Sequence, residues 1–155
     1  MQGQGAGLRV VLFQPDIPGN TGTILRLAAC LNLTVDIIQP AGFRLDDKSL
    51  RRAGMDYLER AAMQIHDDWQ AFEHWRQAQQ RRLVVLTTAA RQSYTDFAYE
   101  DGDCLLFGRE SAGVPEFVHA AADERLTIKM AQTGRSLNVA ISAAMVAGEA
   151  VRQVS

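Results

Sequence analysis

The sequence predicts an α/β protein built on a parallel sheet. Its short apolar runs of four to six residues do not alternate with polar residues as a half-exposed strand does, which indicates burial on both faces. These runs alternate with segments of helical periodicity, an order typical of a sheet covered by helices. A length of 155 residues fits one domain. We therefore expect residues 1–155 to form a single unit, with a flexible Gly/Gln-rich tail at 1–7.

The predicted elements follow one another in a regular order. Strands are expected at residues 8–13, 34–38, 62–65, 83–87, 104–107 and 126–130. Helices are expected at 23–31, from 67 or 68 to 79, at 115–122 and at 136–151, with one or two short helices inside 43–60. Asn20 or Thr21 can cap the first helix, and Ser136 the last. The last helix is apolar on nearly all sides, so we expect it to meet both the sheet and a second subunit.

Composition and charge exclude several classes of protein. The hydrophobic content of 47% and the net charge of −2 do not fit a disordered chain. Since no apolar run is long enough to span a membrane and the start does not resemble a signal peptide, we expect a cytoplasmic protein. Cys30 and Cys104 lie in apolar runs and are expected in the core. The histidines have no metal-ligand spacing, so we expect no metal site.

The first candidate loop, residues 14–26, combines two prolines and two glycines ahead of a helix. The free N–H groups at a helix start form a natural anion site. Taken alone, the loop also fits an ordinary capped helix with Arg26 on its surface. Neither a dinucleotide-binding fingerprint nor a phosphate-loop motif occurs in the chain.

Two further loops follow predicted strands. Residues 107–115 place Gly108 and Glu110 at a strand end, where open α/β sheets bind ligands, although a tight charged turn is equally compatible. Residues 128–138 enter the last helix through Ser136, a candidate N-cap, and Asn138, whose amide needs partners if it is buried.

Together the three loops resemble the motifs of the SPOUT superfamily of S-adenosylmethionine (AdoMet)-dependent RNA methyltransferases. The matching residues are Asn20, Gly22 and Arg26; Gly108, Glu110, Gly113 and Pro115; and Ser136, Leu137 and Asn138. Residues 42–57 are similar to a minimal bacterial subfamily that methylates the ribose 2′-oxygen of the wobble nucleotide, a cytidine or a modified uridine, in leucine tRNAs. The resemblance extends from Arg9 to Val151. One departure is Lys129, where the family usually has proline.

The resemblance implies a sheet with a deep trefoil knot near its C-terminal end, a homodimer, and roles for particular residues. Those implied to bind AdoMet are Leu86, Gly108, Glu110, Ile128, Ser136 and Leu137. Arg26 matches the catalytic arginine, with Asn20 orienting it. Lys48, Arg51 and Arg52 match residues that contact the tRNA anticodon stem-loop, and Arg60 and Arg91 could extend that patch. Such a local cluster would let a chain of net charge −2 bind RNA.

Physical chemistry constrains the role of Arg26. A general base must give up its own proton near neutral pH, and a guanidinium with a pKa above ~12 does so at high cost. Positioning of a substrate phosphate and stabilisation of the developing alkoxide are more plausible roles.

Three other functions remain compatible with the sequence. The chain could methylate another tRNA position or ribosomal RNA, although residues 48–57 favour tRNA. Outside the family, a flavodoxin-like nucleotide-binding module would place its ligand at the same strand ends without transfer chemistry. A scaffold protein is the least compatible, because polar loops at three strand ends serve no packing purpose.

Overall fold

The computed structural model describes residues 7–133 and 136–155, so most of the predicted tail at 1–7 lies outside the described residues. A six-stranded sheet forms the centre, in the order β3-β2-β1-β5-β4-β6, and every pairing is parallel. The strands are β1 Arg9–Phe13, β2 Thr34–Ile38, β3 Met63–His66, β4 Leu83–Leu86, β5 Cys104–Phe107 and β6 Glu124–Leu126. The predicted parallel α/β class is confirmed.

The described residues form six helices, five between strands and one after the last strand. They are α1 Pro18–Leu31, α2 Asp47–Arg52, α3 Tyr57–Ala61, α4 Trp69–Ala78, α5 Glu116–Ala121 and α6 Val139–Val154, and one 3₁₀ turn spans Tyr94–Asp96. Between residues 43 and 60 the chain forms α2 and α3, as predicted. Within the described residues, no helix is long and apolar enough to cross a membrane.

Apolar side chains cover both faces of the sheet, as the uninterrupted strands predict. On one face, Leu12 of β1 packs with Ile24 of α1 and Val146 of α6. On the other, Val11 of β1 packs with Phe72 of α4 and other buried residues. Cys104 is buried as expected, whereas Cys30 is exposed, so its predicted place in the core is wrong. Cys30 lies near the end of α1, on a side of the helix that the sheet does not cover.

Helix α1 begins five residues before its predicted start. Its N-cap is Ile17, which has no side-chain cap, so the prediction of Asn20 or Thr21 as the cap is wrong. Pro18 suits the first helical position because its φ is already helical. Thr21 is fully buried, and a Cβ on Gly22 would lie 3.4 Å from the Met55 side chain. Packing thus stabilises a turn whose residues are poor helix formers on their own.

The predicted bounds of the last strand and of the last helix are also wrong. β6 spans Glu124–Leu126, not 126–130, and it ends where its partner β4 ends, at Leu86. α6 spans Val139–Val154, not 136–151, and its N-cap is Asn138 rather than Ser136. The carbonyl oxygen of the Asn138 side chain accepts hydrogen bonds from the backbone N–H groups of Ala140 (2.8 Å) and Ile141 (3.2 Å), so the cap lies two residues further along than predicted.

Candidate functional site

The candidate site lies where the strand order of the sheet reverses. β1 pairs with β2 on one side and with β5 on the other. Open parallel sheets bind ligands at the carboxyl ends of strands beside such a point. The loops after β1 and after β5 both emerge there, so the topology brings two of the three sequence-predicted loops together.

A chain of side-chain hydrogen bonds joins all three loops. The Asn20 amide nitrogen donates to Glu110 Oε2 (3.2 Å), and the Asn138 amide nitrogen donates to Asn20 Oδ1 (3.1 Å). The other carboxylate oxygen of Glu110 accepts from the backbone N–H of Asp16 (3.2 Å). The structure therefore places Asn20, Glu110 and Asn138 in contact although they are up to 118 positions apart in sequence.

The loop after β5 is closed tightly on itself. Arg109 and Gly113 exchange backbone hydrogen bonds of 3.0 and 2.9 Å, and Gly113 has a φ of +67°, which favours glycine. A Cβ on Gly108 would lie only 2.4 Å from the carbonyl carbon of Gly113. Glycine at 108 is thus required by the loop itself.

Asp16 fastens this loop to the end of β1, a role that the sequence analysis did not assign. Its Oδ2 accepts a 2.5 Å hydrogen bond from Ser111 Oγ and lies 3.7 Å from the Arg109 guanidinium. Contacts with the side chains of Glu110 and Ser111, together with the charge of Arg109, lower the pKa of Asp16 to about 2. Asp16 therefore remains ionised at neutral pH.

Arg26 lies on the outer side of α1 and forms an ion pair that sequence reasoning missed. Its Nε donates to Oε2 of Glu59, in α3. The Arg26 side chain is 64% exposed, whereas that of Glu59 is only 3% exposed. The hydrogen bond to Glu59 and the charge of that carboxylate raise the pKa of Arg26. Among the described residues, the hydrogen bonds of Asn20 go to Glu110 and Asn138, and that of Arg26 goes to Glu59.

The apolar residues that the resemblance assigns to cofactor binding lie at the ends of neighbouring strands. Leu86 ends β4, and Ile128 lies just past β6, which pairs with β4; both are half-buried. Leu137 is half-buried and Ser136 exposed, in the segment that enters α6. The structure thus places Leu86, Ile128 and Gly108 at the ends of three adjacent strands.

These surroundings fit a nucleoside-like ligand. An adenine ring needs apolar walls and close approach to backbone groups, and the strand ends offer both. Within the described residues, two polar atoms in the loops after β1 and β5 are buried without a hydrogen-bond partner. They are Asp16 Oδ1 and Arg109 Nε. Buried polar atoms are normally paired, so unpaired ones are expected where a polar ligand or water completes a site.

Helix α2 carries the three residues implied to bind RNA. Lys48, Arg51 and Arg52 are all exposed. Arg51 lies 3.5 Å from Asp47, one helical turn earlier. Arg60 is largely covered and pairs with Asp47 at 2.7 Å, so it holds α3 against α2. The part of the chain that the structure describes contains no group of three or more His, Cys, Asp or Glu side chains arranged to hold a metal ion.

Comparisons with known proteins show which family the sequence matches. Residues 7–148 match the SpoU rRNA Methylase family. A tRNA (cytidine(34)-2′-O)-methyltransferase of Beijerinckia indica is 57% identical over 94% of this chain and 91% of its own. The protein of the same name in Escherichia coli K12 is 42% identical over 95% and 94%.

Solved structures show the same architecture. A protein studied for 2-OH methylation of C/U34 on tRNA superimposes with a TM-score of 0.86 and 38% identity, covering 96% of this chain and 97% of its own. The SpoU methyltransferase AviRb of Streptomyces viridochromogenes, in complex with the cofactor AdoMet, has a TM-score of 0.83 and 27% identity, covering 95% of this chain and 60% of its own.

A parallel sheet with three hydrogen-bonded loops at its switch point is the architecture of an α/β protein with a ligand site at the strand ends, and the proteins that it resembles are RNA methyltransferases. The match covers most of the chain and includes all three loops. The chain belongs to the SpoU rRNA methylase family.

Proposed function

We propose that the protein transfers a methyl group from AdoMet to the ribose 2′-hydroxyl of the wobble nucleotide, a cytidine or a modified uridine, in the anticodon of leucine tRNAs. The observation that carries the proposal is the hydrogen-bonded chain Glu110–Asn20–Asn138, which joins the three motif loops at one sheet edge. The names of the similar proteins from Beijerinckia indica and Escherichia coli support this reaction.

The cofactor pocket is proposed at the ends of β4, β5 and β6. Leu86 and Ile128 supply apolar contacts, and Gly108 keeps the backbone accessible. Glu110, Ser136 and Leu137 complete the pocket, with Glu110 acting mainly by holding the first loop in place. When bound, AdoMet supplies the reactive methyl group.

Arg26 is proposed to bind and stabilise the substrate rather than to accept its proton. The pairing with Glu59 raises the pKa of Arg26, so the guanidinium stays charged at any physiological pH. A fixed positive charge beside the 2′-oxygen stabilises the negative charge that develops there during transfer. Asn20 orients Arg26 by fixing the first turn of α1, the helix that carries both residues.

The proposed partner is the tRNA anticodon stem-loop. Lys48, Arg51 and Arg52 contact its phosphates from the exposed side of α2, and sequence-specific RNA recognition usually targets splayed loop bases. Because such contacts release counterions, activity is expected to fall as salt rises.

Finer features of the architecture belong to the same proposal. The chain forms one unit over residues 1–155, works in the cytoplasm, and pairs with a second copy through α6. The sheet carries the deep trefoil knot of the SPOUT superfamily near its C-terminal end. Support comes from the family membership and from the exposed apolar side of α6.

The direct test combines unmodified total tRNA, ribosomal RNA and labelled AdoMet. Nucleoside mass spectrometry should find one 2′-O-methylated wobble nucleotide in leucine tRNA. Arg26→Ala should bind AdoMet normally while losing turnover by about two to three orders of magnitude, the range for loss of a charge-stabilising group. A base-methylated nucleoside, or label in ribosomal RNA with tRNA untouched, would refute the substrate.

A further inference from the structure

The buried carboxylate of Glu59 lies next to the proposed catalytic arginine. We infer that Glu59 is a positioning residue, which holds the inner edge of the Arg26 guanidinium so that its outer edge faces the substrate. The inference rests on the proposed function for the role of Arg26, but the contact itself is independent of that function.

The two oxygens of Glu59 have different partners. Oε1 accepts from the backbone N–H of Asp56 (3.1 Å), while Asp56 accepts from the Glu59 N–H (2.9 Å), and together these bonds form the capping box of α3. Oε2 accepts from Arg26 Nε. A capping box alone needs neither a buried carboxylate nor a cation, yet Glu59 is only 2% exposed. Burial of a charge is costly unless it is paired, and Arg26 supplies that pairing.

The pairing leaves most of the Arg26 donors available. A guanidinium carries five N–H groups, and the contact uses the one on Nε. Among the described residues, the guanidinium of Arg26 has no hydrogen-bond partner besides Glu59. An exposed arginine otherwise samples many rotamers, and fixing one of them costs conformational entropy. Because Glu59 is a rigid acceptor for Nε, the Arg26 side chain is already fixed in one rotamer before the substrate binds.

The contact also connects the arginine to the proposed RNA-binding helix. Arg60, the residue after Glu59, pairs with Asp47 of α2 at 2.7 Å and donates to the Met55 carbonyl at 2.8 Å. α3 is therefore held to α2 on one side through Arg60 and to α1 on the other through Glu59. The segment that contacts tRNA and the residue that acts on the ribose share one rigid support.

The first test compares two changes to the same capping box. Glu59→Gln keeps an oxygen for the Asp56 N–H but turns an NH₂ group toward Arg26. We expect kcat to fall by about 10- to 100-fold, the cost of a misplaced group, with AdoMet affinity unchanged and the KM for tRNA changing less than kcat. Asp56→Ala removes the other half of the box and leaves the ion pair. It should lower the melting temperature while leaving kcat unchanged.

Equal losses of kcat in Glu59→Gln and Asp56→Ala would overturn the inference, since Glu59 would then act only through the fold of α3. Wild-type kcat in Glu59→Gln would overturn it as well. If Glu59→Gln does not fold, Glu59→Met fills a similar volume without a polar atom and carries the same expectation. In the Arg26→Ala background, Glu59→Gln should cause no further loss, because the two residues act as a unit.

A spectroscopic measurement separates this inference from the proposed function. The Nε–H proton of Arg26 should give a protected resonance in ¹H–¹⁵N spectra of the wild type and of Asp56→Ala, and the resonance should disappear in Glu59→Gln. If the wild type methylates no tRNA, the proposed function fails while this result still stands. If the resonance is absent from the wild type, the inference fails whatever the activity.

Discussion

Each amide in the chain Glu110–Asn20–Asn138 has only one orientation that satisfies its neighbours. The N–H groups of Ala140 and Ile141 require the oxygen of Asn138, which turns its nitrogen toward Asn20. Asn20 must then present its oxygen to Asn138 and its nitrogen to Glu110. Such polar networks specify one arrangement of the groups they join, and here the groups are those of the candidate site.

Asn20→Asp should therefore disrupt the site at neutral pH. The change places a further carboxylate, besides that of Asp16, about 3.2 Å from Glu110 Oε2, and like charges at that distance raise the pKa of one of the groups. We expect a lower melting temperature and lower turnover at pH 7.5. As the pH falls, the folded variant binds an extra proton, so its stability relative to the wild type should recover.

Thermal melts at several pH values check this prediction. Gln70→Glu makes the matched amide-to-acid change on the exposed side of α4 and should melt like the wild type throughout. A deficit in Asn20→Asp that stayed constant between pH 7.5 and pH 5 would contradict the assigned contact.

Two glycines of the candidate site differ in whether the structure has space for a Cβ atom. At Gly108 it would lie 2.4 Å from the Gly113 carbonyl carbon, whereas at Gly19 nothing lies within 4 Å. Gly108→Ala should thus distort the 108–113 loop and abolish AdoMet binding in calorimetry. Gly19→Ala, in the first turn of α1, should bind normally and gain up to about 1 kcal/mol of stability. Equal AdoMet affinity in both variants would contradict the loop geometry.

At the scale of elements, Asn138 both caps α6 and joins that helix to the first loop. Serine is an equally good N-cap, but its side chain is too short to reach Asn20. Asn138→Ser should keep the melting temperature and lose turnover. Asn138→Ala should lose both, with about 1 kcal/mol of stability removed with the cap. Denaturant unfolding and single-turnover assays separate the two effects, and full activity in Asn138→Ser would show that the bond to Asn20 is dispensable.

Local patterns predict the sheet better than they predict the element ends. The bounds of β2 and β5 follow from their apolar runs because both strands are paired on two sides and buried on two faces. The segment 127–130 continues the predicted strand in sequence, yet within the described residues its pairing is limited to an isolated bridge between Thr127 and Ser93. Helix α1 begins at Pro18, and the side chain of Met55, distant in sequence, lies close to Gly22 in its second turn. Neither partner is visible in a local window.

In the candidate site, too, local sequence patterns predict some features and miss those that depend on distant contacts. The motif residues of the three loops can be identified from their order and types, and topology then brings their strand ends together. Glu59 could not be found in this way, because its contact with Arg26 spans 33 positions. The one available signal was the Asp56-x-x-Glu59 capping box, which predicts a helix start and says nothing about an arginine partner.

At the scale of the molecule, α6 presents an exposed stripe with helical spacing. Ile141, Ala144, Met145 and Gly148 are exposed, at positions i, i+3, i+4 and i+7. The opposite side of α6 packs on the sheet through Ala143, Val146, Ala147 and Ala150. Apolar residues interspersed with small ones allow close approach of a second helix, and a stripe of this kind on a single chain marks an interaction surface.

We therefore expect the wild type to be a dimer in light scattering at micromolar concentration, and Ile141→Glu to be a monomer. The change would bury an unpaired charge at the interface, which is strongly unfavourable. Phe117→Glu is the matched control, because Phe117 of α5 is as exposed as Ile141, at 52%, but lies on the other side of the sheet. It should remain a dimer. If Phe117→Glu dissociated and Ile141→Glu did not, the interface would lie on the α4–α5 side, away from Arg26, and a second copy could not lie against α6.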